Sequence, residues 1–449
     1  MGNRSEFNCR WRLYDKVKNM TDRFIEELII KSSKIPIVVA GQARKTLLDY
    51  LGVLAGGKRY LEEKYPKLIG SAPSVAFLNG FAAHVLELDD GHRYGMIHLG
   101  ASIVSAVLDV ARKEGLKSDD VLRGIVMGYE VAVRCACALQ PGHKKRGYHV
   151  SGTCGTIGAA MGIAFACGYT KEQMKSTLSC AVSSAAGVLE IQEQASEMKP
   201  YNLGRAALSG VVASQVGKLA LPGPDDILGG KSGFLAVLTD TPEPVFLTKF
   251  SSDDYCIEGI YQKVYAACRH CHPAIDATID MRNVLNLMPE QIERIEVSTY
   301  KLAVGSHDHT EIMGVNSAKL STPYAVALAV VKGSAGYEDY NEENIDDYYI
   351  KMLTLKVKVV EDESLTALSP AVRGARVIIY MKNGESHEAT CLYPKGEPEN
   401  PLTKEELEEK FRVLAMYGGL TKMECDEVYA EIWKDDFSIN NILNVLCKK

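Results

Sequence analysis

The chain has 449 residues and a net charge of −6, a length that points to two or three structural units. Hydrophobic residues make up 46% and charged residues 24%, which excludes a chain disordered along its whole length. With an acidic balance, no basic tract and no apolar run near the roughly 18 residues of a membrane span, neither nucleic acid nor a bilayer is an expected partner.

The first nineteen residues carry no apolar signal core, and twelve cysteines scatter without paired spacing. Both point to the reducing cytoplasm rather than to a disulfide framework.

Taken in chain order, the first half is helical. Residues 23–30 place apolar side chains at helical spacing, and 101–111 and 119–139 are longer versions parted by Glu114-Gly115-Leu116. Thr170 with Gln173 makes a capping box. Residues 179–188 and 205–221 are rich in small side chains, which let helices approach closely. After residue 285 the texture changes. Residues 294–300 and 353–360 alternate as strands do, while 375–380 and 387–392 flank the hairpin signal Asn383-Gly384. An apolar helix over 321–331 lies between them, and Thr403 with Glu406 caps a return to helix. The expected fold is mainly α: a large all-helical domain over 1–263 and 400–449, with a smaller α+β domain inserted over 264–399.

Four stretches concentrate chemistry. In residues 79–98 (NGFAAHVLELDDGHRYGMIH), Asn79, His84, Glu87 and Asp90 form one polar stripe, and Gly91 supplies a helix stop. With Asp89 and His92 they form a cluster that is costly to bury unless paired or used. A solvated helix end explains the spacing as well, and Asp89-Asp90-x-His92 lacks a standard metal-ligand spacing. Residues 149–158 (HVSGTCGTIG) suit either an anion-binding helix start or tight helix packing, with Tyr148 and His149 as acid/base candidates. Their glycine spacing is not that of a dinucleotide fold.

In residues 197–205 (EMKPYNLGR), Lys199 and Arg205 beside a helix that Asn202 caps make a carboxylate receptor; a solvated loop is the alternative. Gly229-Gly230-Lys231-Ser232 is not a P-loop, because Asp225 stands where its first glycine belongs. Residues 263–276 (KVYAACRHCHPAID) crowd Lys263, Arg269, His270 and His272 around Cys268 and Cys271. Without a second CxxC the zinc reading lacks partners. Several cations ahead of a helix starting near Pro273 read instead as an anion clamp with a proton shuttle.

In order, NGFAAHVLELDDGH, HVSGTCGTIGAA, KPYNLGRAALSG, CRHCHPAIDA and SAKLSTPYAVA span residues 79–327 and resemble the MmgE/PrpD family. Its members include 2-methylcitrate dehydratase, cis-aconitate decarboxylase and iminodisuccinate epimerase. The resemblance implies a helical domain completed by C-terminal helices, an α+β lid over 264–399, an active site between the two, a homodimer, and no cofactor. It places Glu87 and Asp90 in the acidic segment at the cleft, His98 as the histidine that comes after it, and Lys199 on a substrate carboxylate. Lys263, Arg269 and His272 fall in the cationic segment, and Tyr324 matches a tyrosine contributed by the lid. The chain departs from the decarboxylase branch at Glu87, Gly91 and Cys268, where that branch carries Asp, Thr and His. It also has Leu99 where a proline commonly comes after the histidine.

The expected substrate is a small polycarboxylate, and the expected step is removal of a proton beside a carboxylate. His98, Tyr148, Lys263, His272, Tyr324 and Asp90 form the catalytic set; Glu87, His149, Lys199, Arg205 and Arg269 bind substrate, with no metal. A dehydratase is the leading reading. An epimerase using Tyr148 and Lys263 as opposed bases comes second, a decarboxylase third, and a non-catalytic helical binding protein is the alternative of another class.

Overall fold

Local capping chemistry sets the helix starts. In the computed structural model, which describes residues 19–193, 196–251, 253–305 and 307–446, Asn19 accepts the Asp22 amide and opens α1 (Met20–Ser32). The stretch read for a signal segment lies outside the described residues, apart from Asn19. The body continues through α2 (Ile37–Lys64), α3 (Val75–Val85), α4 (Gly100–Glu114), α5 (Ser118–Leu139), α6 (Val150–Ala166), α7 (Lys171–Ser183) and α8 (Lys199–Gly217). Thr170 and Gln173 complete the capping box of α7, and Gly115 ends α4 in the left-handed conformation.

At the centre lies α6, all 17 of whose residues are buried. It packs against α4, α5 and α8. A methyl group on Gly158 would sit 2.8 Å from the Gly128 carbonyl of α5, and one on Gly162 would sit 2.9 Å from that of Gly124. The glycine spacing of this segment therefore serves helix packing along most of its length. Close approach of backbones is what the missing side chains provide.

The α+β part comes next. β1 (Ile292–Thr299), β2 (Val357–Glu361), β3 (Ala375–Met381) and β4 (Ser386–Cys391) form one sheet in the order β2-β1-β3-β4. β1 and β2 run parallel, and β3 and β4 form the hairpin signalled by Asn383-Gly384. α9 (His272–Leu285) packs on β3 and β4, and α10 (Thr322–Lys332) packs on α9 and β2. The buried strand face includes Ile295, Val297, Val377 and Ile379. The strand expected over 353–360 starts later, because Leu353 belongs to the helix Tyr348–Thr354, capped by Asp347. The chain then returns to helix in α11 (Lys404–Tyr417), α12 (Lys422–Ile432) and α13 (Ile439–Leu446), with α11 lying along α2. Among the described residues, no helix is long and apolar enough to cross a membrane.

Contact with α2 fixes the position of α3, which carries His84 in its last turn. A methyl group at Gly57 would lie 1.9 Å from the Ala82 carbonyl of α3. Gly57→Ala is expected to cost at least ~1–3 kcal/mol, read as a lowered urea midpoint. A variant as stable as wild type would show that the two helices can part without penalty.

Candidate active site

The site begins where α3 stops. The helix ends at Val85, Leu86 caps it, and Glu87 turns the chain aside with φ of +58°. This left-handed conformation is uncommon for a residue with a side chain and is tolerated only where surroundings hold it. The single helical stripe of His84, Glu87 and Asp90 therefore does not form. Gly91 is not the helix stop either. It pairs antiparallel with Tyr261 through amide–carbonyl bonds of 3.1 and 2.8 Å. A methyl group on Gly91 would lie 2.3 Å from the Tyr261 hydroxyl, so the pairing excludes a side chain at this position.

That pairing lays the 261–263 segment beside 87–91. The buried Lys263 donates to one Glu87 carboxylate oxygen at 2.8 Å and lies 3.9 Å from Asp89. Lys199, in the first turn of α8, donates to the other Glu87 oxygen. One carboxylate is thus gripped by two ammonium groups from separate parts of the chain. Burial would raise the Glu87 carboxyl, but Lys199 and Lys263, backed by His84 and His98, hold it well below the usual carboxylate range. Burial would lower Lys263, yet Glu87 and Asp89 raise it above the usual lysine range.

A second layer orients this pair. His84 Nδ1 lies 2.7 Å from Asp89, and its Nε2 is 3.6 Å from Glu87. His98 Nδ1 bonds the Asp90 carbonyl at 2.9 Å, and its ring meets that of His84 edge-on at 4.8 Å. Burial pushes His98 down to about 3; Asp89 opposes that shift, while Lys263 and Lys199 add to it. His149 Nδ1 accepts the Asn202 amide at 3.0 Å, and burial, then Lys199, holds it well below the ordinary histidine range. Asn202 is accordingly inside α8, not its cap.

Asp90 faces away from the lysines. Its carboxyl accepts the Gly100 amide at 2.8 Å and the Tyr129 hydroxyl at 2.5 Å, joining this turn to the start of α4 and to α5. Burial pushes it up to about 7 despite those two bonds.

The remaining sequence candidates have other neighbours. Tyr148 stacks on His143 at 4.6 Å. Arg205 donates to the carbonyls of Gly152, Ser184 and Ala186, tying the end of α7 to α6. Arg269 pairs with the buried Glu397, and His272 bonds the Ala267 carbonyl at 3.2 Å. Tyr324 is buried in α10 with no hydrogen-bond partner for its hydroxyl. Sequence reasoning left out Lys319, which is buried, reaches the Val85 carbonyl at 3.4 Å, lies over the Tyr60 ring, and is pushed down to about 8 by burial. Its one signal was a lysine inside an otherwise apolar helical segment. Tyr261 and Tyr129 gave none, since each acts through a residue distant in sequence.

Two donor groups have the spacing of metal ligands among the described residues: His84, Asp89 and His98, and Cys268, His270 and His307. Lys263 and Lys199 act on the first, and Arg373, Lys144 and Arg269 depress the second through His270. Positive charge on that scale repels a cation, and we assign a metal to neither.

A helical body, a small mixed sheet and a buried carboxylate held by two lysines define the class. The comparisons with known proteins make it specific. Residues 67–247 match the MmgE/PrpD N-terminal domain and residues 265–435 match the MmgE/PrpD C-terminal domain. The chain belongs to the MmgE/PrpD family. It is 23% identical to human (Homo sapiens) cis-aconitate decarboxylase over 89% of this chain and 85% of that protein. The mouse (Mus musculus) cis-aconitate decarboxylase is 24% identical over 91% and 88%. An alkylcitrate dehydratase from Fungal sp. (strain ATCC 74256) is 26% identical over 47% of this chain and 44% of its own length. At family level, the chain is placed among lyase-type enzymes.

The raised Asp90 carboxyl has a measurable consequence. Its folded value of about 7 lies above the ~3.9 of an unfolded aspartate, so between about pH 4 and pH 7 the folded chain holds a proton the unfolded chain has lost. Its contribution makes stability fall as pH rises through that window and level off above it. In Asp90→Asn, the side chain keeps the Gly100 bond and offers its amide to Tyr129. The variant is expected to gain ~1–3 kcal/mol on wild type between pH 5 and pH 7, measured by urea unfolding. An unchanged difference between the two pH values would show that Asp90 ionises normally.

Proposed function

We propose that this protein is a cofactor-independent lyase acting on a small di- or tricarboxylate, beginning with removal of a proton beside a carboxylate and ending in loss of water. The grip of Lys199 and Lys263 on the buried Glu87 carboxylate carries this reading. Two ammonium groups that converge on one internal carboxylate are donors of the kind that bind a substrate carboxylate.

A carbon next to a carboxylate is a poor acid because the resulting electron pair moves onto the carboxylate oxygens. Buried ammonium groups placed there in advance stabilise that enediolate more than the ground state. Lys199 is the accessible member, with its side chain 12% exposed, and Lys263 is the fully buried one. His98, kept neutral by burial and with Nδ1 donating to the Asp90 carbonyl, has Nε2 to accept a hydrogen bond from a hydroxyl, whereas the neutral His149, whose Nδ1 accepts the Asn202 amide, has Nε2–H to donate one. In this reading residues 264–399 act as a lid on the helical body, and the working assembly is a cytoplasmic homodimer.

A decarboxylase is the second reading. The human and mouse relatives that align along 89% and 91% of this chain carry that activity in their names.

A panel of citrate, 2-methylcitrate and cis-aconitate separates the two. Formation of an unsaturated acid from a hydroxy acid is expected, with Lys199→Ala lowering kcat/KM by roughly 10²–10³-fold. Carbon dioxide release from cis-aconitate without dehydration would favour the second reading. If no acid turned over and Lys199→Ala left tricarballylate binding unchanged, the enzyme reading would fail.

A further inference from the structure

Cys268 is part-exposed and within electrostatic reach of Lys199, Lys263 and Glu87, yet the lyase mechanism gives it no task. Its Sγ lies 3.7 Å from His307 Nε2. Three contacts immobilise His307: Nδ1 bonds the Leu320 carbonyl at 2.9 Å, its own carbonyl accepts the Thr322 amide at 2.8 Å, and its ring stacks on His270 at 4.8 Å. His270 is in turn held by the Tyr300 hydroxyl at 2.5 Å. The Cys268 amide donates to the Lys319 carbonyl at 2.8 Å, which fixes the backbone that carries the thiol. A sulfur with an imidazole locked against it, beside a carboxylate-binding lysine pair, is the arrangement of a proton-transfer group.

We propose that Cys268, positioned by His307, is the base that takes the proton from the substrate carbon and the acid that returns it. This rests on the polycarboxylate reading of the lysine pair. The C–H bond breaks, its proton moves to the Cys268 sulfur, and its electron pair passes into the carboxylate held by Lys199 and Lys263. The thiolate becomes a thiol, His307 keeps its proton, and the reverse step restores both.

The surrounding charges favour the thiolate. Burial would raise the thiol, but His307 and Lys199 bring it down to about 6, and Glu87 opposes them. Lys263 and Lys144 also act on it from the positive side; Cys271 and Tyr300 face it as groups that stay protonated. Burial would lower His307, and the neighbouring thiolate raises it. His98, by contrast, sits at about 3. A base whose value lies near working pH combines the right ionisation state with driving force for proton transfer, which a far weaker base lacks.

The test is site-resolved alkylation of the full chain by iodoacetamide across pH 5–9, read by peptide mapping. Cys268 is expected to titrate near pH 6, and His307→Ala to slow its labelling at pH 6 by at least about tenfold, toward an ordinary thiol near 8.5. Tricarballylate should protect the thiol, and Lys199→Ala should abolish protection. Cys268→Ser should lose at least about 10²-fold of the exchange of substrate C–H with deuterium oxide while still binding tricarballylate. A Cys268 that titrates at ordinary thiol values, or is labelled only after a chelator is added, overturns the proposal. So does full exchange in Cys268→Ser with the wild type active, an outcome that leaves the lyase reading standing. A wild-type chain that binds and exchanges none of the acids overturns both.

Discussion

Two lysines closing on one buried carboxylate organise the centre of this protein. Lys199 comes from the first turn of α8, Lys263 from the strand-like segment before α9, and Glu87 from the turn that ends α3. Withdrawing one partner from such a group leaves an uncompensated charge in a poorly solvated place, a larger loss than any surface ion pair entails. The three segments are consequently bound to one geometry. The left-handed backbone at Glu87 is the visible strain, and the two ion pairs are what hold it.

The helical scaffold delivers these groups through close backbone contacts rather than large side chains. Glycines of α6 let its Cα atoms approach the carbonyls of α5, and α5 in turn presents Tyr129 to Asp90. Asp90 then holds the start of α4 and, through its own carbonyl, His98. Each step is short and buried, so a shift in helix packing reaches the lysine pair within two or three contacts. The sheet contributes differently. It supports α9 and α10, whose preceding segments carry Cys268, His307 and Lys319.

Identities of 23–26% to relatives named for a decarboxylation and for a dehydration are compatible with one scaffold serving several reactions. Gly91 leaves the volume that Tyr261 fills, and Cys268 stands beside a locked imidazole.

Much of the architecture was legible from local pattern. Capping boxes at Thr170 and Thr403, the Asn383-Gly384 hairpin and the change of texture near residue 285 rest on interactions within a few residues, and each has its counterpart in the structure. The same holds for the residue types of the site, since lysines, histidines and acids crowded into short apolar segments announce themselves. Pairing did not. Glu87 and Asp90 look equivalent along the chain, yet one turns to two lysines and the other to a helix start, because Glu87 leaves the helical path. Arg205 and Arg269 read as free cations, and the fold gives one to backbone carbonyls and the other to Glu397. By itself the sequence determined which elements form and which chemistry is present. Only the tertiary structure decided which charges meet, because a buried charge is settled by whichever partner the packing brings within a few ångströms.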